Sequence, residues 1–306
     1  MAAQTARGAD DAAGRVERAR FVVRPLRDPA AIRTLLEPQR LYAAYAIGQL
    51  APRLFPHVHC WLAESEREEG LVMHSSGGLG DAMFTLGNPA AIDAILRLHR
   101  GPRHNFATCD PRHLSAIEPY FRIAHQNTMM RMAVTAATFA STESSDGHVR
   151  VVRLRAAHAR AVNALYNTEG TPTFYSATHI ESGHYHGVYV DSRLVAVAGT
   201  HVVSPEEGVA VVGNVFTHPR YRGHGYATLA TGATTAELLQ QCRDVVLTVD
   251  PNNTPAVRAY LRLGYAEGCR LIEAPVTRGG LFGAGPALRR ALARWNGRGL
   301  GVEIVK

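Results

Sequence analysis

The chain has 306 residues, 46% of them hydrophobic, which is enough to bury the cores of two domains. It contains no apolar run near the ~18 residues that a membrane-spanning helix needs, so we expect no membrane association. The formal net charge is +7, but residues 278–306 alone carry +5 and Lys306 is the only lysine. We interpret the excess charge as a solvated basic tail in an arginine-rich protein, and we do not expect a nucleic-acid partner.

The four cysteines show neither metal-ligand spacing nor a disulfide framework. We interpret them as buried thiols in a reducing cytoplasm. Residues 1–20 have mixed charge and no apolar stretch, which predicts a disordered lead and argues against a secretory signal. Asp10, Asp11 and Glu17 argue against a mitochondrial transit peptide.

The first half alternates strand and helix patterns. The predicted elements are a strand at 21–27, a helix at 30–50 that Pro38 interrupts, strand-like runs within 59–73 and at 82–87, a helix at 89–99 and a strand at 105–109. The polar, serine-rich segment 141–148 predicts a domain linker.

The second half repeats this alternation. Its predicted elements are a strand at 149–154, a helix at 156–167, strands at 185–190, 193–202 and 208–217, a helix at 225–241, a strand at 245–250, a helix at 255–264 and a strand at 265–273. A tail rich in glycine and arginine follows.

An internal repeat relates the two halves. At an offset of 140 residues, TCDPRHLSAIEPYF (108–121) aligns with TVDPNNTPAVRAYL (248–261) without a gap. Both segments have a strand–turn–helix pattern, which indicates a tandem pair of related domains. The same offset places GDAMFTLG (80–87) against a glycine-rich loop of the second half. Because 80–87 contains no arginine, we expect only the second half to bind a phosphate.

The stretch HPRYRGHGYATL (218–229) combines two glycines and two arginines ahead of a predicted helix. Gly223 and Gly225 would allow close approach of a ligand, and the helix start would direct free N–H groups at an anion. Arg220 and Arg222 can pair with phosphate oxygens. No Gly-Lys-Ser/Thr is present, and the loop lies too late in its domain for a dinucleotide-binding fold.

With the strand before it, this stretch resembles the acyl-CoA-binding motif of the GNAT acetyltransferase superfamily, Arg/Gln-x-x-Gly-x-Gly/Ala. Arg222-Gly223-His224-Gly225-Tyr226-Ala227 fits that motif. A second family motif follows at Asn253-Thr254-Pro255-Ala256, Tyr260 and Gly264-Tyr265. The resemblance covers residues ~150–275, and the first half joins it through the internal repeat.

The resemblance implies a mixed α/β fold of tandem GNAT-like domains. Each would be a mixed, mostly antiparallel sheet flanked by helices, with a splayed central strand pair in the second. The expected organisation is a disordered lead (1–20), a degenerate GNAT-like domain (21–140), a catalytic acyl-CoA-binding domain (149–275) and a basic Gly/Arg-rich tail (276–306). The degenerate domain would shape the acceptor cleft.

The resemblance also implies roles for individual residues. Unpaired backbone groups of the splayed strand would hold the pantetheine arm, the loop would hold the pyrophosphate, and Asn253 would contact the arm or close the cleft. The cofactor-binding residues expected on this basis are Val215, Phe216, Thr217, Arg220, Arg222, Gly223, His224, Gly225, Tyr226, Ala227, Thr228 and Asn253. The backbone N–H of Phe216, or of a neighbour, would be the oxyanion donor.

Tyr260 would act as general acid for the departing thiolate; the alternative is a half-buried core tyrosine, since Tyr120 occupies the matching position of the first repeat. The general base is open, because Val211 stands where some family members carry a glutamate. His201 is the base to test first, and an ordinary core or surface histidine is the alternative. His179, His184 and His186 with Glu181 resemble a metal set, but we favour a polar stretch and expect no metal.

We interpret the chain as a cytoplasmic N-acetyltransferase, monomeric or homodimeric. It would move acetyl from acetyl-CoA to a primary amine of a small molecule or amino-acid-like acceptor. The first alternative is a non-catalytic acyl-CoA-binding or sensing protein. The second is a nucleic-acid-associated protein that acts through its basic tail, for which binding would weaken steeply with salt.

Overall fold

The computed structural model of the protein describes residues 21–77, 80–170 and 174–279, and the backbone of 302–304. Within these residues the strands join into one mixed sheet, and helices pack on both of its faces. The predicted lead and most of the predicted tail lie outside the described residues.

The first half contains four helices and seven strands within its described residues. The strands are β1 (Phe21–Leu26), β2 (Val58–Glu64), β3 (Glu69–Gly77), β4 (Gly80–Gly87), β5 (His104–Cys109), β6 (Phe121–Ile123) and β7 (Asn127–Val134). The helices are α1 (Pro29–Leu36), α2 (Ala44–Gly48), α3 (Pro89–Leu98) and α4 (Leu114–Ile117). Proline in the first turn and an acidic or amide cap explain where α1 and α3 begin.

The second half has the same order of elements. Its strands are β8 (Val149–Arg153), β9 (His186–Val190), β10 (Arg193–Ser204), β11 (Val209–Thr217), β12 (Asp244–Val249), β13 (Ala266–Arg278) and β14 (Val302–Ile304). Its helices are α5 (Ala159–Tyr166), α6 (Ala177–Ser182), α7 (Tyr226–Leu238) and α8 (Thr254–Arg262). Strand β14 pairs with β1 of the first half.

Both halves repeat one topology, in agreement with the sequence repeat. A strand and a helical segment lead into three antiparallel strands, then a helix, then a strand that runs parallel to the third of the three. The parallel pairs are β4–β5 in the first half and β11–β12 in the second. The protein therefore has the tandem α/β architecture that the repeat predicts.

The two halves exchange strands at the centre of the sheet. The strand order is β14-β1-β2-β3-β4-β5-β13-β7-β12-β11-β10-β9-β8, with β6 paired beside β13. Thus β13, from the end of the second half, lies against β5, while β7, from the first half, lies against β12. One hydrophobic cluster crosses the same boundary, since α2 packs on β10 and β11.

Several elements differ from the sequence predictions. The sequence did not predict β6, β7, α6 or β14, and β13 continues to Arg278, three residues past the predicted end of the second domain. Residues 80–87, aligned with the glycine-rich loop by the repeat, form strand β4 instead. The uniform offset fails there because Asn88 alone separates β4 from α3. No helix in the described part of the chain is long and apolar enough to cross a bilayer.

Candidate active site

The strands β11 and β12 separate after a short parallel pairing. They pair from Val209 to Val212 on β11 and from Asp244 to Leu247 on β12. Beyond Val212, β11 continues to Thr217 with its pairing to β10 alone among the described strands. The resulting V-shaped opening leaves one edge of β11 free, which is the splayed pair that the family resemblance implies.

The backbone of Phe216 faces β10 and not the opening. In the register of β10 and β11, Val197 lies opposite Phe216. Two residues further along β11's direction, His218 N–H donates a hydrogen bond to Val195 O at 2.8 Å. Because hydrogen-bonded pairs alternate with non-hydrogen-bonded pairs in antiparallel strands, Phe216 belongs to the ladder with Val197. Its N–H is therefore not placed to act as the expected oxyanion donor.

The neighbours of Phe216 supply the free edge. The same alternation turns the N–H and C=O groups of Val215 and Thr217 toward the opening. Arg222 Nε donates to Thr217 O at 3.3 Å, which places this oxygen on the side of the loop. Val215 and Thr217 are thus the residues of β11 available to an extended ligand, and the Val215 N–H replaces that of Phe216 as the candidate oxyanion donor.

The loop after β11 ends in an exposed helix start. Gly223 and Gly225 have φ of +85° and +81°, a region that favours glycine. Helix α7 begins at Tyr226 with Gly225 as N-cap, and no side chain caps it. The N–H groups of Tyr226, Ala227 and Thr228 cannot find partners within their own first turn. Together with the helix dipole they form an anion site of the kind that holds a pyrophosphate.

The cationic side chains of the loop are arranged unequally. Arg220 is exposed, whereas Arg222 forms an ion pair with Glu169. His218 is buried, and its Nδ1 accepts from Arg220 N–H at 3.1 Å; burial and nearby arginines lower its pKa. His224 is exposed and stacks on Tyr226. Arg220 is thus the more available of the two predicted arginines, and Arg222 has a carboxylate partner.

Tyr260 and Asn253 both lie on or next to α8. Tyr260 is 7% exposed and belongs to the cluster against which Val215 packs. Burial raises the pKa of its hydroxyl to about 12, so the group keeps its proton at neutral pH. Asn253 caps α8 by accepting from Ala256 N–H at 3.3 Å. This cap uses its Oδ1 and leaves the amide nitrogen as the group for a ligand.

His201 lies on β10 with its ring against Gly213, where a Cβ would approach Nε2 to 2.0 Å. Its Nδ1 is buried without a hydrogen-bond partner among the described residues, and Tyr45 of the first half lies 5.9 Å from the ring. Burial, with a smaller contribution from His179, lowers the pKa of His201 to about 4. A base with so low a pKa accepts a proton from an ammonium poorly.

The low pKa of His201 has a consequence for stability. We expect the free energy of unfolding of the wild type to fall between pH 7 and pH 5, because the unfolded chain, with a histidine pKa of 6.5, then binds protons that the folded protein rejects. His201 should contribute about 2 kcal/mol to this loss.

Urea unfolding of wild type and His201→Gln at both pH values would measure the contribution of His201. Burial also lowers the pKa values of His74 and His186 to about 4. Both residues remain in the two proteins, so their contributions to the pH dependence cancel in the comparison. An equal loss of stability in the two proteins would contradict the assignment.

The equivalent opening of the first half is filled by its own side chains. His113, which aligns with Asn253 in the repeat, bonds to Thr85 Oγ1 and Gly87 O, each at 2.9 Å. Asn88 caps α3 by accepting from Ala90 N–H at 2.7 Å, and the proline after it has no N–H to offer. The first half therefore presents neither an open strand edge nor an uncapped helix start.

A group of tyrosines around Asn214 on β11 was not predicted from the sequence. Asn214 has φ +53° and lies at a bulge, where it and Val215 face Ala198 of β10. Tyr166, Tyr175 and Tyr185 donate to or accept from this residue. Glycine next to asparagine within an apolar strand was the available signal for a bulge.

The histidines that resemble a metal set do not converge. His179 bonds to Tyr185 and Glu181 accepts from Ala156 N–H. His184 and His186 instead approach Glu237. Across residues 21–77, 80–170 and 174–279, no group of three or more histidine, cysteine or acidic side chains is suited to hold a metal ion.

Comparison with known proteins identifies the second half. Residues 151–265 match the sequence profile of the Acetyltransferase (GNAT) family. This segment is therefore assigned to the GNAT family. The match includes β11, the loop, α7, β12 and α8, which form the opening described above. No curated protein matches the chain significantly.

Solved structures share the fold of this chain beyond the matched segment. A GCN5-related N-acetyltransferase from Sphaerobacter thermophilus is 16% identical with a TM-score of 0.55, covering 86% of this chain and 97% of its own. One from Kribbella flavida is 18% identical with a TM-score of 0.52, covering 80% and 96%. A Drosophila protein is 13% identical with a TM-score of 0.60, covering 84% and 98%. Because each match covers at least 80% of this chain, the shared fold includes the first half.

Proposed function

We propose that this GNAT protein is an acyl-CoA-dependent N-acyltransferase that moves acetyl from acetyl-CoA to a primary amine. The observation that carries the proposal is the open edge of β11 next to the uncapped start of α7. An extended pantetheine arm fits the strand edge, and a pyrophosphate fits the N–H groups of the loop. We propose a small molecule or an amino-acid-like compound as acceptor, and a cytoplasmic monomer or homodimer as the active form.

The reaction needs a polarised carbonyl, a neutral amine and a protonated leaving group. A C–N bond forms, the C–S bond breaks, the amine loses a proton and the thiolate gains one. The Val215 N–H would donate to the carbonyl oxygen, and Thr217 would hold the arm. Tyr260 would protonate the sulfur, which its raised pKa supports because the hydroxyl retains its proton.

We propose no side chain as the general base. Val211 stands where some family members carry a glutamate, and the pKa of His201 is about 4. We therefore propose that the amine arrives neutral or loses its proton through water. The same observation favours the alternative function, a non-catalytic acyl-CoA sensor, so turnover must be measured separately from binding.

Calorimetric titration with acetyl-CoA tests the proposal. We expect wild type to bind one acetyl-CoA per chain, because the first-half opening is filled by His113. Gly225→Trp should weaken binding at least about 100-fold, because the indole would occupy the anion site. Gly80→Trp is the matched control, since both glycines have positive φ and nothing within 4 Å of a built Cβ. Wild-type affinity in Gly225→Trp would contradict the loop assignment.

Thiol release against a panel of primary amines completes this test. Release that requires both acetyl-CoA and an amine supports the transferase. Saturable binding without release on any amine supports the sensor. A stoichiometry of two per chain would contradict the closed state of the first half, and no binding at all would contradict both functions.

A further inference from the structure

The backbone of Asn214 adopts a conformation that is costly for any residue except glycine. Its φ of +53° lies in the left-handed region, inside a strand whose other residues are extended. Such a residue persists only where its surroundings fix it, and three tyrosine hydroxyls surround Asn214.

Each polar group of Asn214 beyond its backbone N–H has a tyrosine partner. Tyr166 donates to its backbone oxygen, Tyr175 donates to Oδ1 at 3.1 Å, and Asn214 Nδ2 donates to the Tyr185 hydroxyl at 2.8 Å. We call Tyr166, Tyr175 and Tyr185 the tyrosine clamp. They come from the end of α5, the segment before α6 and the segment before β9, so three separate parts of the chain converge on one residue.

The clamp is itself rigidly held. The Tyr185 hydroxyl, which accepts from Asn214, also shares a 2.8 Å hydrogen bond with His179 Nε2. Its ring lies over Gly199, where a Cβ would come within 2.1 Å, and it is completely buried. The Tyr166 ring packs between those of Tyr175 and Phe216, with centroids 4.9 and 5.1 Å away. These contacts leave the three hydroxyls little freedom to move.

Fixing Asn214 O also fixes the next amide. The C=O and N–H of one peptide lie in a plane and point in opposite directions, so the Tyr166 hydrogen bond turns the Val215 N–H away from the clamp. The strand register independently turns that N–H away from β10, toward the opening. Both constraints direct it at the place where an acyl carbonyl would lie beside β11.

We propose that Tyr166, Tyr175 and Tyr185 are positioning residues, which hold Asn214 so that the Val215 N–H is aimed at the thioester carbonyl oxygen of the acyl donor. This inference rests on the proposed function, because it assumes that an acyl-CoA occupies the opening. It goes further by assigning a catalytic purpose to three side chains that do not touch the reacting atoms. Misplacing an oxyanion donor by about 1 Å costs rate without preventing ligand binding.

The infrared carbonyl frequency of bound acetyl-CoA, labelled with carbon-13 at the acetyl carbonyl, reports the aim of the amide and needs no acceptor. We expect wild type to lower this frequency relative to free acetyl-CoA. Tyr166→Phe, which removes the hydrogen bond to Asn214 O, should return it toward the free value, and so should Tyr175→Phe and Tyr185→Phe. Tyr189→Phe is the matched control, because Tyr189 lies on the neighbouring strand β9 outside the clamp. A purely structural role for the clamp would not move this frequency.

A binding comparison gives a second readout. S-ethyl-CoA lacks the carbonyl, so wild type should bind acetyl-CoA about fivefold more tightly than S-ethyl-CoA. The clamp variants should lose that preference. Their affinity for free CoA should stay within about twofold of the wild-type affinity. Asn214→Gly is the variant to use if a tyrosine variant fails to fold, since glycine adopts the backbone without strain but loses the side-chain contacts. We expect about a tenfold loss of kcat in each variant with KM for acetyl-CoA nearly unchanged.

The outcomes separate this inference from the proposed function. A frequency shift and ligand preference that survive in Tyr166→Phe, Tyr175→Phe, Tyr185→Phe and Asn214→Gly would overturn the clamp alone. Failure of wild type to bind acetyl-CoA would overturn the proposed function and the clamp with it. Loss of the frequency shift in Tyr189→Phe as well would also overturn the inference, because the effect would then not be specific to Asn214.

Discussion

Replacing Tyr260 by phenylalanine is expected to lower kcat by about 10² to 10³, which is the usual contribution of a general acid. The substitution removes one hydroxyl from a residue that is 7% exposed and keeps the ring that fills the cluster. Without that hydroxyl as proton donor, the thiolate would have to depart as an anion. Binding of acetyl-CoA should change less than threefold, because the loop and the strand edge are intact.

The measurement is thiol release with an amine that the panel identifies, together with calorimetric binding. Tyr265→Phe is the matched control, because Tyr265 is also buried and its ring centroid lies 6.1 Å from that of Tyr260. Its hydroxyl forms a hydrogen bond with Thr235. That variant should lose stability but keep kcat within about threefold. A Tyr260→Phe enzyme with wild-type kcat would show that Tyr260 serves only in packing, as the half-buried Tyr120 does in the first half.

The largest effect on stability is expected for Arg131→Met. Arg131 is fully buried on β7, where Nη1 donates to Tyr42 O at 2.7 Å and Nη2 lies 3.4 Å from Glu273. Nε and Nη2 also donate to Thr248 at 3.2 and 3.1 Å. Removing one partner of a buried ion pair leaves an uncompensated charge, so we expect the free energy of unfolding to fall by about 3 to 5 kcal/mol.

Urea unfolding would measure this loss, and a second substitution tests its cause. Burial already raises the pKa of Glu273, with Arg131 opposing that rise, so in Arg131→Met the pKa should rise further. The variant should then be less destabilised at acid pH, where Glu273 is neutral, than at pH 7. Arg131→Met combined with Glu273→Gln should recover part of the loss. A loss below about 1 kcal/mol for the single variant would contradict this account.

The sequence predicted those parts of the fold whose pattern is local. Strands β8 to β12, helix α7 and the loop follow from alternation, glycines and a proline, and the structure has them within a few residues. Strand β7 was missed because NTMMRMAV is poor in β-branched residues and contains Arg131, a charge that local pattern places in solvent. Its burial depends on Tyr42, Thr248 and Glu273, which are distant in sequence.

The candidate site divides in the same way. A motif of consecutive residues identified the loop, and the family resemblance added β11 and Tyr260. The direction in which each peptide group of β11 points depends on the strand register, which one sequence does not contain. That direction moves the expected oxyanion donor from Phe216 to Val215. The tyrosines around Asn214 lie up to 48 residues from it along the chain, and no spacing rule connects them.

The exchange of β7 and β13 gives the protein the strand arrangement of a domain-swapped dimer whose two chains are joined into one. Each half borrows a central strand from the other, so we expect each half to need its partner to complete its sheet. During synthesis, β5 would wait with an unpaired edge until β13 leaves the ribosome, more than 150 residues later. In such an arrangement one half can lose its ligand while its backbone continues to be required by its partner.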